Sequence, residues 1–194
     1  LISMKKVLSL ALGLVLSIGS YSIAAEQRGS IERKTNYVQV KNASGWESAD
    51  AGTSLFVGSS LRTGPRSVAE IKYDDGSMTR VGSRSNLVIN DRKINIKRGY
   101  IWGKVDKNKT KGLKIFTATA IASITGTEFF VEVNSDKSTT ITVLEGSIEV
   151  EGKAGKILVT QGTYSTVDAD GVASNPNAFD VAKVIERYAE VAKM

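Results

Sequence analysis

SITGTEFFVEV, residues 123–133, decides how this chain is read. A glycine between two threonines invites comparison with a phosphate-binding loop. Such a loop needs several glycines, then Lys and Ser/Thr at the head of a helix. Here a single Gly126 is followed by aromatic and β-branched residues, the composition of a strand. The alternation around it is informative. Before the glycine, Ala118, Ala120, Ala122 and Ile124 stand at even positions; after it, Phe129, Val131 and Val133 stand at odd ones. A phase shift of one residue is what a bend or β-bulge produces, and glycine suits the left-handed backbone it needs. The stretch therefore predicts strands bent at Gly126, not a phosphate cradle. The three small alanines imply the close approach of another layer.

Period-two alternation extends outward from this point. Val38 and Val40 alternate with Gln39 and Lys41, Ala69, Ile71 and Tyr73 with Val68, Glu70 and Lys72, and Ile94 and Ile96 with Asn95 and Lys97. Turn-forming runs separate these segments: DDGS (74–77), VNSDKS (133–138), EGKAGK (151–156) and DADG (168–171). Four segments share an Ile-x-apolar-x-x-Gly-x-apolar pattern: IKYDDGSM (71–78), INIKRGYI (94–101), ITVLEGSI (141–148) and ILVTQGTY (157–164). Their irregular spacing excludes a regular solenoid and predicts strand–arc–strand units around one core. The end of the chain differs. Val181, Val184, Ile185, Tyr188, Val191 and Ala192 form an amphipathic helical stripe, with Asn175 or Asn177 as cap and Pro176 in the first turn. This helix is expected to close one end of the β domain; a partner-docking helix is the other reading.

Composition removes several chemistries. The 194 residues include no His and no Cys, which excludes Ser-His-Asp and Cys-His catalysis, His-ligated zinc and disulfides. Residues 1–25 read as a signal peptide: a basic Met4-Lys5-Lys6, an apolar run from Val7 to Ile18, and Ser22-Ile23-Ala24 as a small-x-small cleavage pattern, with a cut after Ala25 as the near alternative. Met4 is the expected start. The apolar run is short of the roughly 20 residues that span a bilayer, so no membrane span is expected after cleavage. The expected location is periplasmic or secreted. Residues 26–54 read as an N-terminal strand segment, 55–167 as the β domain, and 168–194 as a turn and the helix. Residues 62–114 carry 14 basic and 5 acidic side chains, whereas 115–194 carry 6 and 11. The basic middle either faces an anionic partner or is a solvated strand face.

The chain resembles the FecR-like domain family on motifs that recur in order from about 55 to 165. They are Gly58-Ser59-Ser60-Leu61-Arg62-Thr63-Gly64, Ser67-Val68-Ala69, Asp75-Gly76-Ser77, Gly82 through Ile89, Ile96-Lys97-Arg98-Gly99, Gly126-Thr127-Glu128-Phe129-Phe130-Val131, Val143-Leu144-Glu145-Gly146 and Thr160-Gln161-Gly162-Thr163. The resemblance implies an extracytoplasmic all-β domain without catalytic residues, in which Gly64, Asp75, Gly76, Gly99, Gly126, Thr127, Phe129, Gly146 and Gly162 are structural. The namesake regulators sense an outer-membrane iron-siderophore receptor and relay its occupancy through a membrane helix to a sigma factor. This chain is expected to depart there, with a cleavable signal in place of that cytoplasmic domain and anchor.

The expected fold is all-β: a two-layer antiparallel sandwich or an irregular β-roll of short strands, ending in the C-terminal helix. The expected function is non-catalytic sensing or scaffolding through an envelope protein partner. An anionic glycan is the alternative ligand, and a carboxylate-based hydrolase using strand glutamates such as Glu128, Glu145 and Glu149 is the third reading. No nucleic acid, metal or cofactor is called for; DADG (168–171) lacks the further ligands of a calcium loop and reads as a turn. The candidate contact face lies in KRGYIWGKVDKNKTKGLK (97–114). There Tyr100, Trp102 and Lys104 share one face of a strand with Arg98 nearby, an aromatic pair among cations suited to a sugar ring or an acidic loop. Against this stands Trp102 as an ordinary core residue beside a solvated lysine loop.

Overall fold

The computed structural model describes residues 26–42, 44–107 and 112–194, so the predicted signal peptide lies outside the described residues. The chain forms two β-sheets packed face to face. In hydrogen-bonded order, sheet A contains β4 (Ser54–Phe56), β1 (Gln27–Thr35), β6 (Val68–Tyr73), β7 (Met78–Val81), the second half of β9 (Lys93–Lys104), β12 (Glu128–Val133), β13 (Thr139–Glu145), β16 (Thr163–Val167) and β17 (Asn177–Ala178). Sheet B contains β3 (Gly45–Ser48), β2 (Val38–Asn42), β5 (Ser59–Thr63), β8 (Asn86–Asn90), the first half of β9, β10 (Leu113–Phe116), β11 (Ile121–Ile124), β14 (Ser147–Gly152) and β15 (Gly155–Thr160). All of these pairings are antiparallel except β9 with β10. The result is all-β, as expected, and joins the two expected alternatives: a sandwich whose strands advance along both layers nearly in chain order.

That progression exists because the chain changes layer at short corners. β9 is the clearest case. Residues 93–98 pair with β8 in sheet B, and residues 99–104 pair with β7 and β12 in sheet A. The corner is Gly99, at φ 87°, where an added Cβ would lie 2.2 Å from Ser85 Oγ. Both the left-handed backbone and the lack of space demand glycine. The inward set changes phase there: Ile94 and Ile96 face the core before it, Ile101 after it. Gly126 does the same between β11 and β12, and Gly146 and Gly162 do it between β13 and β14 and between β15 and β16. The odd–even shift at Gly126 is thus a corner between two layers, not a bulge within one strand. Of the four repeated segments, three mark such corners, whereas Gly76 lies in the β6–β7 hairpin inside sheet A.

One apolar core fills the space between the sheets, with Leu61, Leu87, Ile94 and Ile115 from sheet B meeting Ile31, Ile71, Ile101, Phe129 and Ile141 from sheet A. The segment 26–54 is part of it, since β1 pairs with β6 and β2 with β5. Phe129 is fully buried, and its ring lies where a Cβ on Gly103 would come within 2.3 Å of Cζ. Thr127 ties two corners together: its hydroxyl donates to the Ser147 carbonyl at 3.0 Å. These contacts give Gly126, Thr127, Phe129 and Gly146 a structural reading.

The C-terminal helix lies elsewhere than expected. α1 (Val181–Arg187) and α2 (Ala189–Ala192) meet at Tyr188, and Asp180 caps α1 by accepting from the Ala182 and Lys183 amides. Neither Asn175 nor Asn177 is the cap. Asn177 and Ala178 add a short strand to β16, so the helix starts later. It does not close an end of the sandwich; it lies across the outer face of sheet A. There Tyr188 and Val191 pack with Val68, Trp102 and Phe130 in a second apolar cluster. Among the described residues, no helix is long and apolar enough to cross a membrane.

Candidate functional site

Where β9 ends, sheet A presents a groove of about 530 Å³ whose lining includes Arg80, Trp102, Lys104, Lys107, Glu128 and Glu145. The strands fix these positions. Lys104 and Glu128 are opposite each other in the β9–β12 pairing, and Arg80 is opposite Trp102 in the β7–β9 pairing. The Trp102 ring therefore lies beneath the Arg80 guanidinium, 4.5 Å from its centroid, and its Nε1 donates to Glu128 at 3.1 Å. Two exposed ion pairs form the rim, Lys104–Glu128 at 3.3 Å and Lys107–Glu145 at 3.0 Å. The hydrogen bond from Lys107 holds the Glu145 carboxyl below its usual range. Exposed pairs of this kind contribute roughly 0–1 kcal/mol, so they can be exchanged for pairs with an incoming surface at little cost.

The four sequence-predicted residues are divided by this geometry. Trp102 and Lys104 belong to the groove, although Trp102 is only 8% exposed. Tyr100 points the same way but is covered by the helix. Its ring lies 5.3 Å from that of Tyr188, and its hydroxyl donates to Glu190 at 2.8 Å. Burial, then the Glu190 carboxylate, push its phenol well above the ordinary value. Arg98 precedes the Gly99 corner, in the sheet B half of β9, and is exposed. Lys109 and Lys111 lie outside the described residues.

Sequence reasoning missed the clasp that holds the helix beside the groove. Glu70, its side chain 3% exposed, receives two hydrogen bonds from Arg33 (2.8 and 2.9 Å) and one from Arg80 (2.6 Å). Burial alone would raise its pKa; the hydrogen bonds and charges of the two arginines outweigh that and lower it. Each arginine also reaches the helix. Arg33 donates to the Met194 carbonyl and Arg80 to the Val191 carbonyl, both at 2.9 Å. Farther along, Glu132 accepts from the Tyr188 hydroxyl at 2.7 Å and from Arg187 at 2.8 Å, and the Tyr188 ring stacks on Phe130 at 4.4 Å. The available sequence signal was Glu70 itself, a carboxylate inside an apolar strand that needs partners once buried.

The remaining carboxylate motifs are turns. Asp75 Oδ1 accepts from the Ser77 amide before the hairpin closes, and Asp168 Oδ1 accepts from the Asp170 and Val172 amides.

Comparison with known proteins agrees with this architecture. The FecR protein family model matches residues 59–149. Two crystal structures of a candidate anti-sigma factor from Parabacteroides distasonis ATCC 8503 are similar in fold, with TM-scores of 0.57 and 0.56 at 15% identity. Each alignment covers 64% of this chain and 62% of that one, so this chain spans less than two thirds of their length. No curated protein matches.

Proposed function

The chain carries a FecR domain over residues 59–149, and from that premise we propose a regulatory binding module that works outside the cytoplasm. Its partner is an envelope protein, engaged at the groove beside Trp102 and Lys104, and it performs no catalysis. The observation that carries this reading is the make-up of the groove. A largely buried Trp102, capped by Arg80, lies under a rim of both charge signs, and that rim is held by weak exposed pairs. A protein segment carrying both signs can replace each rim pair, whereas a polyanion would leave Glu128 and Glu145 facing like charge. The fold likeness to a candidate anti-sigma factor agrees with a role in signalling.

The test compares partner recovery from envelope extract by the wild type and by Lys104→Glu with Lys107→Glu. Both side chains are exposed, so the variant should fold normally, which circular dichroism checks. Loss of one specific partner in the variant supports the reading. Equal recovery by both would move the site off the groove.

One observation favours the anionic-glycan reading, on a different surface. The outer face of sheet B carries Lys41, Lys93, Lys97 and Lys114, all exposed, with Arg62 over Trp46 beside them, while its Glu149 and Glu151 are paired with Lys156. Sedimentation with purified cell wall, reversed by salt and abolished by Lys93→Glu with Lys97→Glu, would support that ligand.

A further inference from the structure

Buried polar side-chain atoms nearly always find a partner, so those that do not are informative. Among the described residues, such atoms are Arg28 Nε, Tyr73 Oη, Ser77 Oγ and Thr79 Oγ1. They are not scattered. Arg28, Tyr73 and Ser77 all line one cavity of about 240 Å³, which opens between the sheets where the β6–β7 and β8–β9 hairpins end. Tyr73 has Thr79 as a near neighbour and Ser77 has Asp75, each within reach of a weak hydroxyl contact but short of full hydrogen-bond geometry. Ser77 is 6% exposed. The cavity is too large for one bridging water, which takes about 30 Å³.

The rest of the lining narrows the chemistry. Its charges are largely matched within the wall. Arg28 pairs with Glu26 at 2.5 Å and Asp91 at 3.4 Å, and Arg92 pairs with Asp75 at 2.6 Å while donating to the Gly112 carbonyl at 3.0 Å. Arg92 does so from a left-handed backbone, φ 51°, that a side chain adopts only at a cost. Burial pushes the Tyr73 phenol up to about 12, so it is neutral, able to donate and to accept. Ile94 and Leu113 add an apolar wall.

We propose that this cavity binds a small, neutral, polyhydroxylated ligand, a single sugar residue or the end of a glycan chain. Its hydroxyls would bond Ser77 and Tyr73, an acceptor oxygen would take the Arg28 Nε–H, and its C–H face would lie on Ile94 and Leu113. A charged ligand fits less well, since the wall offers no large excess of either sign. The site is distinct from the groove beside Trp102, although the β6–β7 turn borders both, Asp75 and Ser77 lining this cavity and Gly76 the groove; it stands or falls separately.

The test is a titration of the ¹⁵N-labelled protein with glucose, galactose, N-acetylglucosamine and glucuronate, followed at the amides of Ser77, Asn90 and Ile94. A neutral sugar should give saturable shifts, with glucuronate weaker. Tyr73→Phe with Ser77→Ala should weaken that binding about tenfold or more, as expected for two lost hydrogen bonds. The same variant should melt close to the wild type, because the two hydroxyls have only the weak contacts to Thr79 and Asp75 within the fold. Three outcomes would overturn the proposal. One is no saturable shift with any neutral sugar up to about 50 mM, too weak to count as a site. Another is binding unchanged in the variant. The third is glucuronate binding tighter than the neutral sugars.

Discussion

Sheets A and B turn similar inner faces toward one core, yet their outer faces are treated in opposite ways. Sheet A directs Tyr100, Trp102 and Phe130 outward, and the chain covers them with its own C-terminal helix. Sheet B directs exposed lysines outward together with Glu149 and Glu151, which pair with Lys156. An outward aromatic stripe on a strand therefore has two meanings, a site for another molecule or a seat for a later part of the same chain. Here most of it is a seat. What stays open is the rim at the end of the stripe, at Lys104 and Lys107 beside the largely buried Trp102.

The largest effect should come from the joint that lets one strand serve both sheets. Gly99→Ala would force a side chain onto a left-handed backbone and into Ser85, at a combined cost of about 3–5 kcal/mol. Denaturant unfolding measures this; a loss under about 1 kcal/mol would mean that the corner relaxes freely. Next comes the clasp. Glu70→Ala leaves two arginines facing each other without their carboxylate, and a buried partner lost in this way costs about 3 kcal/mol. The loss should be accompanied by faster hydrogen exchange in α1 and α2. Exchange unchanged in the helix would show that the apolar cluster holds it alone. Smaller again is Tyr188→Phe, which keeps the stack on Phe130 and removes the hydroxyl bond to Glu132, for about 1 kcal/mol. On sheet B, Lys97→Glu should change stability by no more than about 0.5 kcal/mol. A larger change would mean that this face is less open than its exposure indicates.

The pH dependence follows from the same contrast. Folding lowers the pKa of Glu70 and of Asp75, where backbone and Arg92 hydrogen bonds outweigh burial. The unfolded chain therefore binds more protons in acid. This stabilisation is whole above about pH 5 and is lost as pH falls below about 4. Folding raises the phenols of Tyr73, Tyr100 and Tyr188, chiefly by burial, so their contribution is whole below about pH 10 and is lost above it. The melting temperature should be flat between these limits and fall on both sides. Phenolate absorbance from the three tyrosines should appear only as the protein unfolds.

Much of the fold was legible in the sequence, because strand alternation and glycine position are local signals. Even the layer change at Gly126 left its mark, the apolar set passing from even to odd. That mark has two physical causes, a bulge or a corner, and alternation cannot separate them; only the partners of β11 and β12 do. The helix stripe from Val184 to Ala192 was legible for the same local reason, but its cap was not. Asn175-Pro176-Asn177 has capping chemistry, yet the edge of β16 captures Asn177 and Ala178 and shifts the start to Asp180. At the site, the shared face of Tyr100, Trp102 and Lys104 followed from period two. The cover over Tyr100 depends on Glu190, 90 residues away, and no local pattern reports such a contact. The cavity between the hairpins was illegible too, since a hydroxyl without a partner is a property of packing.

The most direct test of the groove as the working surface is in-cell photo-crosslinking from two exposed lysine positions, 104 at the rim on sheet A and 97 on the open face of sheet B. The account predicts one discrete protein adduct from position 104, abolished by Lys107→Glu, and none from position 97. Adducts from position 97 alone, or from neither position, would contradict it and move the function away from the groove.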